Sequence, residues 1–334
     1  MRRAPDWASW GSPDRLPAGA PTGGRGFPTM RAVPDGAIRT DTNGRRIMKI
    51  AFSTVACPQW TLEQTAQLGA SLGYSGIELR TFGADSVELA SDPALTAGAK
   101  VRDILEDAGI DPAGLATSVR FDAPIWPPII GRVFGDVERP VRETRSFVHL
   151  AASIECPYVR VFGFELPAGE GRSAGMRRLV ERLELASRTA RHTGVKLLVE
   201  NGGAFPLARD LAELIDRVGS PLVEACYTPA VAEAHDEDPV EGVDRLAGRL
   251  AVVRLKDYIE GRPVALGDGE NEVAGVVRRL GASGYSGWAC VEYDRMWFPD
   301  LEEPERPLKV SIDRVYEWMG RELSDIERRK FARA

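Results

Sequence analysis

The sequence predicts an α/β protein: a single-domain (β/α)8 TIM barrel over residues 48–325, with a disordered extension at 1–47 and a short tail at 326–334. Three observations carry this expectation. Eight short apolar runs alternate with amphipathic segments over roughly 280 residues, the count of such a barrel. Two of those runs end in a carboxylate, Glu200 in VKLLVENGG and Glu292 in GYSGWACVEYD. The carboxyl ends of barrel strands are where this fold keeps its chemistry. The first 47 residues, by contrast, carry no hydrophobic period.

The elements follow in order. KIAFSTVA (49–56) is the first strand, followed by a helix-period segment at 61–72. GIELR (76–80) precedes the segment at 95–108, and GLATSV (114–119) precedes 138–154. YVRVFG (158–163) leads into 173–193, and KLLVE (196–200) into 207–218. LVEACYT (222–228) precedes 239–247, and LAVVRLK (250–256) precedes 272–282. WACVE (288–292) is the eighth strand, and a final helix is expected over 307–323. A doubly wound open sheet is the main alternative. No GxGxxG follows the first strand, which disfavours its dinucleotide-binding form, and GEGRS (169–173) lacks the Lys-Ser/Thr of a P-loop.

Composition narrows the function classes. A formal net charge of −6 argues against nucleic acid as a partner, because phosphate neutralisation needs a basic surface. No apolar run approaches membrane-spanning length, so no membrane partner is expected. The four cysteines, Cys57, Cys156, Cys226 and Cys290, lie in or beside strand-like runs without CxxC spacing. A reduced, cytoplasmic protein fits that pattern better than a disulfide framework. Three histidines limit any imidazole-built metal site. Residues 1–47, dense in Pro, Gly and Arg, cannot bury enough apolar surface to offset chain entropy. Trp7 and Trp10 there either dock elsewhere or belong to a solvated tail, and Met48 stands directly before the first strand.

Five segments together resemble a known family, the xylose isomerase-like (apurinic endonuclease family 2) barrels. They are LGYSGIELR (72–80), PYVRVFGF (157–164), LLVENGG (197–203), VVRLKDY (252–258) and GYSGWACVEYD (284–294). Their order matches strands two, four, five, seven and eight of such a barrel. The family includes sugar isomerases, ketose 3-epimerases, inosose dehydratases and hydroxypyruvate isomerases. The resemblance implies a divalent metal (Mn, Co or Mg) held by Glu, Asp, His and Glu from strands five to eight. Glu200 and Glu292 match the two glutamates. Thr228 stands at the Asp position, Val231 at the histidine three residues later, and Arg254 at the His of the strand-seven H-x-K-D motif, while Lys256-Asp257 is kept. A protonated guanidinium cannot coordinate a cation, and two carboxylates alone seldom hold a catalytic metal. No cofactor is therefore expected; if a metal binds, Glu200 and Glu292 are its ligands.

Other residues admit two readings each. Arg254 either replaces the metal charge and clamps a substrate oxyanion, or merely salt-bridges Glu200 or Glu292 in a decayed site. Glu78 either touches substrate or pairs with Arg80. Arg160 reaches the barrel mouth or an ion pair at a strand end. Lys256 is a Schiff-base nucleophile if desolvated, or a cation paired beside Asp257. Trp60, Trp126 and Trp297 follow strands, where they wall a pocket or cap the core. Asp122 and Trp126 belong to a proline-stiffened loop. His235 approaches the mouth or stays at the surface, as expected of His149 and His192.

The function these residues point to is proton transfer next to a carbonyl, in carbohydrate metabolism. It would isomerise, epimerise or dehydrate a sugar, a cyclitol or a small hydroxy-carbonyl compound. Glu200 and Glu292 would be the acid/base pair, and Arg254, Lys256, Arg160, Glu78, Trp60 and Trp126 the substrate contacts. The alternative is a non-catalytic ligand-binding or partner barrel. DNA repair is a poor third, since its multi-metal site is histidine-rich. A homo-oligomer is compatible with either main reading.

Overall fold

The computed structural model describes residues 47–81, 98–121, 139–162, 165–166 and 169–320. The expectations placed on 1–46, on Asp122 and Trp126, and on the tail at 326–334 lie outside the described residues.

Eight parallel strands close into a barrel. β1 (Lys49–Ser53), β2 (Gly76–Arg80), β3 (Asp111–Arg120), β4 (Tyr158–Phe162), β5 (Lys196–Glu200), β6 (Val223–Tyr227) and β7 (Leu250–Leu255) pair in sequence order. The last barrel strand, β10 (Trp288–Val291), lies between β7 and β1 and closes the ring. The helices are α1 (Leu62–Leu72), α2 (Gly98–Ala108), α3 (Arg139–Ser153), α4 (Arg172–Thr189), α5 (Ala208–Val218), α6 (Pro229–Glu233), α7 (Pro239–Arg245), α8 (Val273–Ala282) and α9 (Glu305–Trp318). The expected first strand stops early: residues 54–56 form a 3-10 turn. Two elements were not anticipated, the one-turn α6 and a two-stranded hairpin, β8 (Tyr258–Ile259) and β9 (Arg262–Pro263).

Strand period explains the layers. In β5, Leu197 and Val199 join the large cluster under the helices, while Leu198 joins a small cluster inside the barrel. Cys226, Val252 and Cys290 share that inner cluster. Two residues beyond each lies a polar side chain on the same face: Glu200, Thr228, Arg254 and Glu292. A polar layer therefore sits directly above an apolar plug. The floor below is closed by Trp288, with Lys49 Nζ 4.2 Å from its ring centroid. Gly76 is required here, because a Cβ would meet the Trp288 ring at 2.5 Å.

Helix ends follow local chemistry. Thr61 and Gln64 form a reciprocal capping box on α1, at 3.2 and 3.0 Å, and Gly73 ends that helix at φ 97°. Asp238 caps α7 through the Val240 N–H at 2.8 Å. No described helix is long and apolar enough to cross a membrane.

Candidate functional site

The inner polar layer is a continuous chain of ion pairs at the carboxyl end of the barrel. It begins on β4, where Arg160 Nη1 donates to Glu200 Oε2 at 2.7 Å. Glu200 Oε1 accepts from the Thr228 hydroxyl at 2.7 Å and lies 3.8 Å from Arg254 Nη1. Arg254 also contacts Glu78 through Nη2 and Glu292 through Nη1. Lys256 Nζ continues the chain to Glu292 Oε1 at 2.8 Å and to Asp294 Oδ2 at 3.1 Å. The Tyr258 hydroxyl donates to Asp294 Oδ2 at 2.7 Å. Glu78, Arg160, Glu200, Arg254, Glu292 and Asp294 are all buried.

The four groups Glu200, Thr228, Arg254 and Glu292 thus meet in one place. Both glutamates reach the same Nη1 nitrogen of Arg254, well within the span of one small substrate. Arg160 takes the ion-pair alternative, with Glu200 at a neighbouring strand end, while other partners differ from the sequence alternatives. Glu78 pairs with Arg254. Lys256 pairs with Glu292 and Asp294, leaving Asp257 to another task. Trp60 is half-buried against the core, and His235 Nδ1 lies 2.9 Å from the Val231 carbonyl oxygen.

Asp257 holds the loop beyond β7. Its carboxylate accepts the backbone N–H groups of Tyr258 (3.0 Å), Gly267 (2.7 Å), Gly269 (3.0 Å) and Asn271 (3.1 Å). One carboxylate therefore organises the segment carrying the hairpin and Tyr258. Buried N–H groups left unsatisfied cost about 1–3 kcal/mol each. Asp257→Ala should lower stability by at least about 2 kcal/mol. Hydrogen exchange should quicken over residues 258–271; unchanged exchange there would refute this role.

The electrostatics separate the carboxylates. Burial pushes Glu292 up, but Arg254 and then Lys256 outweigh it and hold it well below the usual range. Glu200 is likewise lowered against its burial by Arg254 and Arg160. Asp294 behaves oppositely: burial, only partly offset by Lys256 and reinforced by Glu292, raises it to about 6. Burial works against the charges of Arg254 and Lys256, yet the facing carboxylates keep both well above their ordinary values. Lys256 is consequently a fixed ammonium, not the neutral amine a Schiff base requires.

The donor set does not fit a divalent metal. The guanidinium of Arg254 occupies the space between Glu78, Glu200 and Glu292, and Thr228 spends its hydroxyl on Glu200. Among the described residues, no group of three or more His, Cys, Asp and Glu side chains is arranged to hold a metal ion. A narrow crevice, too tight for a water-sized guest, reaches Arg254 and Lys256, bounded by Pro229, Glu233 and Asn271. Sequence reasoning had not singled out Asp294, Tyr258 or Arg80. Asp294 carried a signal: it lies two residues beyond Glu292, just past the end of the eighth barrel strand.

Residues 66–318 match the model of the xylose isomerase-like TIM barrel family. Among solved structures, an L-ribulose 3-epimerase aligns with a TM-score of 0.68 at 17% identity, over 85% of this chain and 97% of that one. The IolI protein with a binding zinc atom aligns at 0.67 and 16%, over 82% and 98%. A probable 3-DHS dehydratase, AsbF of Bacillus anthracis, aligns at 0.64 and 14%, over 80% and 98%. At these identities the likeness is one of fold. No curated protein matches the sequence.

Proposed function

Because this chain belongs to the xylose isomerase-like TIM barrel family, we propose that it is a metal-independent sugar- or cyclitol-type isomerase, epimerase or dehydratase. Its reaction is proton transfer next to a carbonyl. The observation that carries this reading is Arg254, a fixed cation set among three strand-end carboxylates at the place where the family resemblance implies a metal. A guanidinium fixed in a dry site can stabilise a developing enolate without solvent reorganisation. Nε of Arg160 and Nε of Arg254 are buried without a hydrogen-bond partner among the described residues. Such unused polar capacity in one place supports a site built to receive something. The 3-epimerase and dehydratase among the similar structures support the substrate class.

The electrostatics redistribute the roles first assigned to Glu200 and Glu292. Both are ionised at neutral pH, so neither supplies a proton there. They hold Arg254 in place, Glu292 with both oxygens engaged by Arg254 and Lys256. The group poised to exchange a proton is Asp294, with Tyr258 and Lys256 fixing its carboxyl. The reaction is tested by incubating ketoses, aldoses and cyclitols in D2O with a chelator present. Deuterium uptake next to the carbonyl is expected, and its loss in Asp294→Asn. No uptake across the panel would sink the proposal.

The second reading, a binding barrel without turnover, draws on the saturation of Glu200 by Arg160, Thr228 and Arg254. It draws also on the narrowness of the crevice beside Arg254 and Lys256, which has no room for a water-sized guest, far below an ordinary ligand pocket. Ligand binding without exchange would favour it.

Asp294 also gives a stability signature. Its pKa rises from 3.8 to about 6 on folding. A raised carboxyl stabilises the fold most fully below its unfolded value, and that contribution fades as pH rises through the folded value. Relative to Asp294→Asn, the natural protein should therefore lose stability between pH 4 and pH 6, bracketed by 3.8 and about 6. Denaturant titrations of both proteins across that window test the sign; a constant difference would contradict the raised pKa.

A further inference from the structure

Three cations of the polar layer, Arg160, Arg254 and Lys256, between them engage all four carboxylates, Glu78, Glu200, Glu292 and Asp294. A fourth cation, Arg80, stands at the end of β2 and engages none among the described residues. Its Nη1 donates to the Thr117 carbonyl at 3.0 Å, and its Nη2 to the Ser118 hydroxyl at 2.8 Å. The Trp297 ring lies 5.8 Å from its guanidinium carbon. These neutral partners hold the guanidinium in place and, among the described residues, leave part of its five-donor fork unused. Arg80 is only partly buried.

We propose that Arg80, backed by Trp297, is the subsite for an oxyanion of the ligand, so that the barrel takes an acidic sugar or sugar phosphate in preference to a neutral sugar. This rests on the reading of the barrel mouth as a sugar-type site and names the substrate class within it. A carboxylate or phosphate would take the remaining N–H donors, for which the guanidinium fork is shaped. The surroundings favour such a guest. Desolvation of its charged end, although the residue keeps some exposure, with Arg160 and Arg254 nearby, lowers Arg80 to about 9, outweighing the more weakly felt Glu292 and Glu78. An arriving anion relieves that repulsion. Trp297 supplies a flat face beside the charge, suited to the carbon skeleton next to an oxyanion.

The test is binding, measured without turnover by calorimetry and tryptophan fluorescence. The probes are two matched pairs: D-glucuronate with D-glucose, and D-fructose 6-phosphate with D-fructose. At least one acid should bind tenfold or more tighter than its neutral partner at low salt, and which pair responds separates carboxylate from phosphate. Arg80→Gln should bring the preference below twofold, Arg80→Lys should keep part of it, and Trp297→Phe should remove the fluorescence change. If Arg80→Gln does not fold, Arg80→Lys and the salt dependence of the natural protein carry the test. Equal affinity within both pairs, a preference that survives Arg80→Gln or ignores salt, or no binding of either acid overturns the proposal. Deuterium exchange into neutral ketoses with no acid preference would sink this inference and leave the enzyme reading standing. An Arg80-dependent preference without exchange on any compound would do the reverse.

Discussion

Arg254→Met should destabilise the protein by about 3–5 kcal/mol near pH 7, the usual cost of stranding buried charges by removing one partner. Here the stranded groups are Glu78, Glu200 and Glu292, all of which contact the guanidinium. Arg160 and Lys256 still hold Glu200 and Glu292 from their far sides. The loss should also depend on pH with a definite sign. In the natural protein the folded values of Glu200 and Glu292 lie below 4.5. Their stabilising contribution is therefore present above that value and lost as pH falls through the folded values. Without Arg254, burial raises the carboxyls, so the variant is helped by protonation. The gap between the two proteins should be widest at neutral pH and narrow toward pH 4.5. Arg254→Lys, which keeps the charge but not the fork, should fall between them. Denaturant unfolding at several pH values measures all three proteins. A gap that stays constant, or widens in acid, would mean Arg254 does not neutralise these carboxylates.

Why the barrel and half of this network could be read beforehand, and the rest could not, follows from the range of each interaction. A strand of period 2 places Glu200 two residues after Leu198 and Arg254 two after Val252, so local pattern fixes the face on which they sit. Parallel closure then brings the strand ends together, and Thr228 meets Glu200 across neighbouring strands. What pattern does not fix is choice among partners within reach. Glu78 lies two residues from Arg80 in sequence yet binds Arg254, 176 residues away. Asp257 sits beside Lys256 but turns to the loop N–H groups, because four donors converge on it. Lys256 is left to Asp294, and burial of that pair creates the raised carboxyl. The hairpin of β8 and β9 escaped notice for a related reason. Each strand is two residues long, too short for any period, and the hairpin is held partly by Asp257.

Arg254→His combined with Thr228→Asp should create stoichiometric Mn or Co binding, and the natural protein should bind neither ion stoichiometrically. In the natural chain, any divalent ion between Glu200 and Glu292 would have to share the space with Arg254. At an effective dielectric near 20, two unit charges about 4 Å apart interact by roughly 4 kcal/mol, and a divalent ion would feel about twice that. Two glutamates, already engaged by Arg160 and Lys256, do not overcome such a barrier. The double substitution removes the repelling charge and supplies an imidazole and a third carboxylate on adjacent strands. Registry favours the geometry: Cys226 pairs with Val252, so the positions two residues on from each stand side by side. Either substitution alone should do less, since Thr228→Asp leaves the guanidinium and Arg254→His leaves one donor short. Calorimetry with Mn and Co on all four proteins decides the matter. Tight stoichiometric metal in the natural protein, lost in Glu200→Gln and Glu292→Gln, would show that Arg254 can leave its carboxylates and does not stand in for the ion.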